Sequence, residues 1–191
     1  MTLINQEIAR FMGDLGNLTL WLALGLSSYS MVGSVLGKLF SINPLLESAR
    51  KTVYVLVLVV GVATASLVAS FITRDFEISY VAEHSNLAMD NIYTWVAFYA
   101  GNEGSLLYIA LVLSIMAAVA VISTPDRLKP SLPFVIAIMM VVLTFFLGVM
   151  AWMANPFDKL PIIPVDGEGI NPLLTHFGMF FHPPALMAGL I

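Results

Sequence analysis

The chain carries three histidines, no cysteine, and one place where a histidine stands directly before two prolines, His182-Pro183-Pro184. A neutral imidazole can ligate haem iron or another metal. Pro183 pushes the residue before it towards extended backbone, and proline is well tolerated in the first turn of a helix, where its missing N–H costs nothing. The pattern predicts His182 just before a helix that starts at Pro183, with its ring at the helix mouth. There it would lie near free N–H groups and the positive end of the helix dipole, which favour anionic groups such as haem propionates. The competing reading is a helix cap or a hydrogen-bonded interface histidine. Residue types alone leave both open.

The other two histidines carry less signal. His84 lies in Tyr80-Val81-Ala82-Glu83-His84-Ser85-Asn86. That cluster could orient a ligand or dock a partner. It equally suits a hydrogen-bonded turn opening an interfacial helix, with Ser85 or Asn86 as N-cap, and the structural role is the simpler expectation. His176 stands six residues before His182, across a glycine, which is no metal-site spacing; it reads as an exposed loop histidine. Glu103 opens a helix where the dipole favours an acid, and Gly104 and Ser105 permit tight packing. Without cysteine there is no disulfide, thiol catalysis or thiolate metal site.

The elements that must position these residues are membrane helices. The 191 residues are 59% hydrophobic and 10% charged, with a mean hydropathy of +0.92, whereas soluble domains are nearer a quarter charged. The net charge of −4 and the absence of a basic run exclude a nucleic-acid-binding surface. Apolar stretches at 15–36, 53–72, 104–123 and 131–153 are each long enough to span a bilayer. The first is too long for the core of a cleaved signal and lacks a small-residue cleavage site. Its Gly16, Gly25, Gly33, Ser27, Ser28, Ser30 and Ser34 predict close packing inside a bundle. A fifth apolar helix begins at 183, and its nine residues to 191 cannot cross; the expectation is that more of the chain or a partner continues it.

Between the spans lie a hydrophilic turn at 38–52, a polar segment at 73–103, a tight turn at 124–130 and a Pro- and Gly-rich loop at 154–182. Within the second, 87–99 mixes Ile92, Tyr93, Trp95, Val96, Phe98 and Tyr99 with polar residues, which predicts a helix lying at the membrane interface. The turns after the first and third spans hold Lys38, Arg50, Lys51, Arg127 and Lys129 with only Glu47 and Asp126; Arg10, Arg74 and Lys159 and the other acids lie at the opposite end. Positive charge stays in the cytoplasm, so 73–103 and the loop to His182 are expected to face outward, in a bacterium to the periplasm. No span holds Asp, Glu, Lys, Arg or His, which disfavours a transport pathway within the chain. The fold class is all-α: one polytopic membrane domain over 1–191, with four complete transmembrane helices, the start of a fifth and an outward interfacial helix.

Three blocks in order carry a family resemblance. They are Tyr80-Val81-Ala82 with His84-Ser85-Asn86; Tyr93, Gly101 and Glu103-Gly104-Ser105-Leu106-Leu107; and Asn155-Pro156-Phe157, Pro164, Asp166-Gly167, Asn171-Pro172-Leu173-Leu174, Gly178-Met179 and His182-Pro183-Pro184. On these the chain resembles the N-terminal part of the large membrane subunit of the cytochrome c maturation haem lyase, the CcmF/NrfE type. It departs at Met89-Asp90, where the family commonly has Leu-Pro; at Tyr99-Ala100, where it has Trp-Gly; at His176-Phe177, usually Asp-Pro; and at Met187, usually Tyr. The family's W-G-x-W-x-W-D haem platform, second outward histidine and membrane-haem histidines have no counterpart within 1–191.

The resemblance implies that His182 is an axial ligand to the iron of a b-type haem, the substrate. A haem chaperone delivers that haem, and the lyase joins its vinyl groups to the thiols of a CxxCH motif in apocytochrome c. The implied partners are the haem chaperone, apocytochrome c, other maturation subunits in the membrane, the remainder of the lyase chain and the bilayer of the bacterial inner membrane. On this reading 1–191 is necessary for lyase activity and insufficient alone. The rival is a non-catalytic membrane scaffold that docks the haem chaperone or a partner subunit through 73–103, with His182 a mere cap.

Overall fold

The computed structural model of the chain describes residues 3–189. Four long helices form the body: α1 (Leu3–Leu39), α2 (Asn43–Thr73), α5 (Asn102–Ser123) and α6 (Leu132–Trp152). Two short helices, α3 (Ser79–His84) and α4 (Thr94–Phe98), lie between α2 and α5, and α7 (His182–Gly189) closes the described chain. All four long helices are apolar enough to cross a membrane. The last two residues of the expected fifth helix, 190 and 191, lie outside the described residues.

The four run up and down in sequence: α1 packs on α2 and α6, and α5 packs on the same two, so α1 and α5 sit on one diagonal. The small residues of α1 do what their type predicts. Ser27, Ser30 and Ser34 are buried, the Ser30 hydroxyl donates to the Ala49 carbonyl at 2.9 Å, and Thr144 on α6 donates to Ser27 at 2.9 Å. Gly25 is the exception, with no atom of another element near it. Outside this core the bundle shows a coat of exposed Leu, Val, Ile and Phe, such as Leu18, Leu58, Ile122 and Phe145, as a lipid-facing surface requires.

The first two helices are longer than their apolar stretches. At 37 residues α1 runs roughly 55 Å, against a hydrocarbon core of about 30 Å. Its polar first turns stay helical because their charges find partners outside the span: Arg10 meets Glu77 at 2.9 Å and Asp14 meets Lys159 at 2.7 Å. The hydrophilic turn expected over 38–52 contracts to three residues. Ser41 adopts φ 56°, the Ile42 N–H reaches back to the Gly37 carbonyl at 2.8 Å, and Pro44 starts α2. This is a Schellman closure followed by a proline helix start.

The 73–103 segment holds its helix in shorter pieces than expected. A 3₁₀ turn, Asn91–Tyr93, feeds α4, which is five residues long. Its Val96, Ala97 and Phe98 are fully buried. The reason is a close backbone approach. The Tyr80 hydroxyl donates to the Phe98 carbonyl at 3.0 Å and accepts the Gly101 N–H at 3.0 Å. A Cβ at Gly104 would lie 1.6 Å from that same carbonyl. Only glycine lets the start of α5 pass so near the end of α4.

Gly104→Ala is therefore expected to destabilise the chain by about 1–3 kcal/mol through overpacking. Gly25→Ala, in open space within α1, should be neutral or stabilising by up to about 1 kcal/mol. Thermal unfolding of the two variants in detergent, side by side, checks the contrast.

Candidate functional site

All three histidines lie at one end of the bundle, together with the N-terminal turns of α1. That end is laced from three pieces of chain. The Lys159 ammonium bridges Asp14 and Glu77, at 2.7 and 3.2 Å, while Arg10 takes the other oxygen of Glu77. Ile78 and Lys159 form an antiparallel bridge, with the Ser79 N–H on the Asp158 carbonyl and the Leu160 N–H on the Glu77 carbonyl, both at 2.8 Å. Further along, Asp166 accepts the Leu87 N–H at 2.8 Å and the Glu168 N–H reaches the Ala82 carbonyl at 2.8 Å.

Arg74 anchors the same region. It caps α2 in the left-handed conformation, φ 53°, which a non-glycine residue adopts at a cost. Its guanidinium offsets that cost by donating to the Phe71 carbonyl at 2.8 Å, the Met89 carbonyl at 2.6 Å and Asn91 Oδ1 at 3.3 Å. Next to it Asp75 is buried beside a cleft of about 540 Å³. Burial holds its carboxyl above the usual carboxylate range, against the Glu77 N–H that it accepts.

His182 is the first residue of α7, one position earlier than expected, which is within the ordinary ambiguity of helix ends. Its side chain is exposed and makes no hydrogen bond among the described residues, so the ring is not consumed as a cap. The expected cradle of free N–H groups is thin, however. Pro183 and Pro184 have none, and the Ala185 N–H is bound to the Phe181 carbonyl at 3.0 Å. In the chain on either side of His182, Leu173, Phe177, Phe181 and Leu186 are all more than half exposed.

The approach to His182 is held from behind by tyrosines. The Tyr99 hydroxyl donates to the Met179 carbonyl, the Tyr93 ring leans on Phe180 at 6.0 Å, and Tyr108 on α5 reaches the Pro184 carbonyl at 3.4 Å. Burial, with Tyr108 adding to it, pushes the Tyr99 phenol up to about 12, so it stays a donor. Sequence reading placed Tyr93 and Tyr99 on an interfacial helix and missed this clamp. Their aromatic spacing was the only available signal.

The remaining candidates sit in hydrogen-bonded turns. His84 is half-buried, its Nδ1 3.0 Å from the Tyr80 carbonyl and its ring 4.5 Å from the Tyr80 ring. Ser85 does not open a helix; it follows α3 and donates to the Val81 carbonyl at 2.7 Å. His176 is an exposed loop residue, as expected, and its Nδ1 accepts the Gly178 N–H at 3.1 Å to cap a 3₁₀ turn. Among the described residues no three His, Asp or Glu side chains gather as a metal site.

No family model matches the chain. The cytochrome c-type biogenesis protein CcmF of Escherichia coli K12 is 35% identical over 182 residues, 94% of this chain and 28% of that protein. CcmF of Pseudomonas aeruginosa is 34% identical over 93% of the chain, and NrfE of Haemophilus influenzae 30% identical over 80%. The solved structure of "Cytochrome c Heme Lyase CcmF" superposes with a TM-score of 0.79 at 28% identity, over 94% of this chain and 28% of that one. The chain thus spans about a quarter of the length of these relatives.

Tyr99→Phe removes the bond to the Met179 carbonyl and keeps the ring. Hydrogen exchange over 176–189 is expected to quicken about fivefold, the worth of one hydrogen bond, with exchange in α1 and α6 unchanged. A second outcome concerns Asp75. A carboxyl whose folded pKa is raised favours the fold below its unfolded value and weakens it as pH climbs through the folded one. Asp75→Asn should therefore raise the melting temperature near pH 7, and the gain should fade as pH drops through the carboxylate range. Melting curves across that range decide it.

Proposed function

The chain is a relative of the cytochrome c-type biogenesis proteins of the CcmF/NrfE type and corresponds to an N-terminal part of them, and on that premise we propose that it helps hold haem for covalent attachment to apocytochrome c. In this reading haem is the substrate and His182 supplies one axial bond to its iron. The observation that carries it is the His182 ring, exposed and without a hydrogen bond among the described residues, in a stretch rich in exposed apolar side chains. A neutral imidazole offers the iron a nitrogen lone pair. Leu173, Phe177, Phe181 and Leu186 suit the flat apolar face of a porphyrin.

The chain's own residues do the positioning. Tyr99, Tyr93 and Tyr108 hold the backbone on both sides of His182, so the ring is presented rather than searched for. The end of the bundle opposite this site holds five of the eight Lys and Arg residues. By the positive-inside rule the His182 end faces the periplasm of a bacterial inner membrane, where a haem chaperone and apocytochrome c would meet it. Other maturation subunits and the rest of the lyase would complete the site.

The test is a visible absorption spectrum of the chain purified with its continuation or partner chain and a co-expressed haem chaperone, compared with His182→Ala. A His182-dependent Soret difference is expected, while haem held elsewhere in the complex survives the substitution. Matching spectra in a folded complex would overturn the haem reading and leave the non-catalytic scaffold, docking a chaperone or subunit through 73–103, in its place.

A further inference from the structure

The opposite end of the bundle has a cleft of its own. It opens between α1, α2 and α6 with a volume of about 270 Å³. Leu46, Leu132 and Ile136 form its apolar wall, and Asn43, Arg50 and Lys129 line it with donors. Its one acid, Glu47, is engaged by Lys51 at 2.8 Å. Lys129 meets only Asp126, an exposed partner in its own turn. The cleft therefore presents cationic donors above an apolar floor.

A second, independent observation points the same way. Ser34 lines the cleft and is only 1% exposed. On the same helix Ser27 and Ser28 donate to the Leu24 carbonyl, and Ser30 to the Ala49 carbonyl. The Ser34 hydroxyl makes no such bond among the described residues. Among the described residues the buried hydroxyls without a partner are those of Ser70 and Thr94; that of Ser34 lines the cleft and is placed to donate to an oxygen-rich ligand seated there.

We propose that this cleft binds the phosphodiester headgroup of an anionic phospholipid. Arg50 and Lys129 neutralise the phosphate, Asn43 and Ser34 donate to its oxygens, and the first acyl carbons lie along Leu46, Leu132 and Ile136. Basic pockets between membrane helices attract such headgroups. A free phosphate would share the donors but leave the apolar wall unused. Val135 and Ile138, exposed on the same stretch of α6, continue the apolar surface towards the bilayer. This site does not involve His182 and stands apart from the haem reading.

The experiment is native mass spectrometry of the full chain in detergent, titrated with phosphatidylglycerol, phosphatidylcholine or inorganic phosphate. One phosphatidylglycerol per chain is expected to bind in preference to phosphatidylcholine. Arg50→Gln with Lys129→Gln should weaken it roughly twenty-five-fold, at fivefold per cation lost. Lys38→Gln with Arg127→Gln removes the same charge outside the cleft and should leave it unchanged. Ser34→Ala, which keeps the charge and nearly the volume, should cost about fivefold and decides the matter if the first double variant does not fold. Equal losses in the two double variants, or equal binding of phosphatidylcholine, would overturn the proposal. Displacement of the lipid by inorganic phosphate would overturn the lipid assignment in favour of a free anion.

Discussion

Much of the His182 end of the bundle hangs on one phenol. The Tyr80 hydroxyl takes the Gly101 N–H and gives its proton to the Phe98 carbonyl, at a junction where both backbone groups would otherwise be buried without partners. That fixes the end of α4 against the start of α5, and the missing Cβ of Gly104 is what lets the two approach. Tyr99 and Tyr108, on either side of the junction, are then in register to grip the chain before and after His182. Tyr80 is itself locked between Phe71 and His84. Burial, the largest influence on it, keeps the phenol protonated far above neutral pH. The route from an interior hydroxyl to an exposed imidazole is a run of short, named contacts.

The membrane helices were legible because hydrocarbon imposes one rule, that every backbone group be satisfied within the segment, and apolar length records it. The small residues of α1 were legible for a related reason: close approach demands them wherever they fall. What escaped the sequence was pairing across long separations. The polar turns at the start of α1 fell outside the span expected at 15–36 because Arg10 and Asp14 find their partners at Glu77 and Lys159, far along the chain. The stretch 87–99 read as one interfacial helix because its aromatics suit an interface; the grip of Tyr80 on the Phe98 carbonyl breaks it instead. At the site, the position of His182 was legible from its prolines. The donors expected around it were not there, because the residues that start the helix so well are the ones without an N–H.

The two ends of the bundle divide the polar work. One end lays charged and aromatic side chains across three stretches of chain and leaves the His182 imidazole exposed. The other keeps tight turns, a Schellman closure at Ser41 and most of the basic residues. Between them the spans carry no charge at all, and their buried polar groups are hydroxyls that mostly bond carbonyls of their own helix or its neighbour.

The prolines after His182 have a thermodynamic meaning as well as a geometric one. Each fixes its own φ, and the first also narrows the backbone choices of the histidine. The conformational entropy of this corner is thus surrendered when the chain is made rather than when something is bound. A ligand arriving at the imidazole has little backbone left to order, so more of the bond it forms appears as affinity. A histidine in a glycine-rich loop would offer the same nitrogen and lose part of that bond to stiffening the chain.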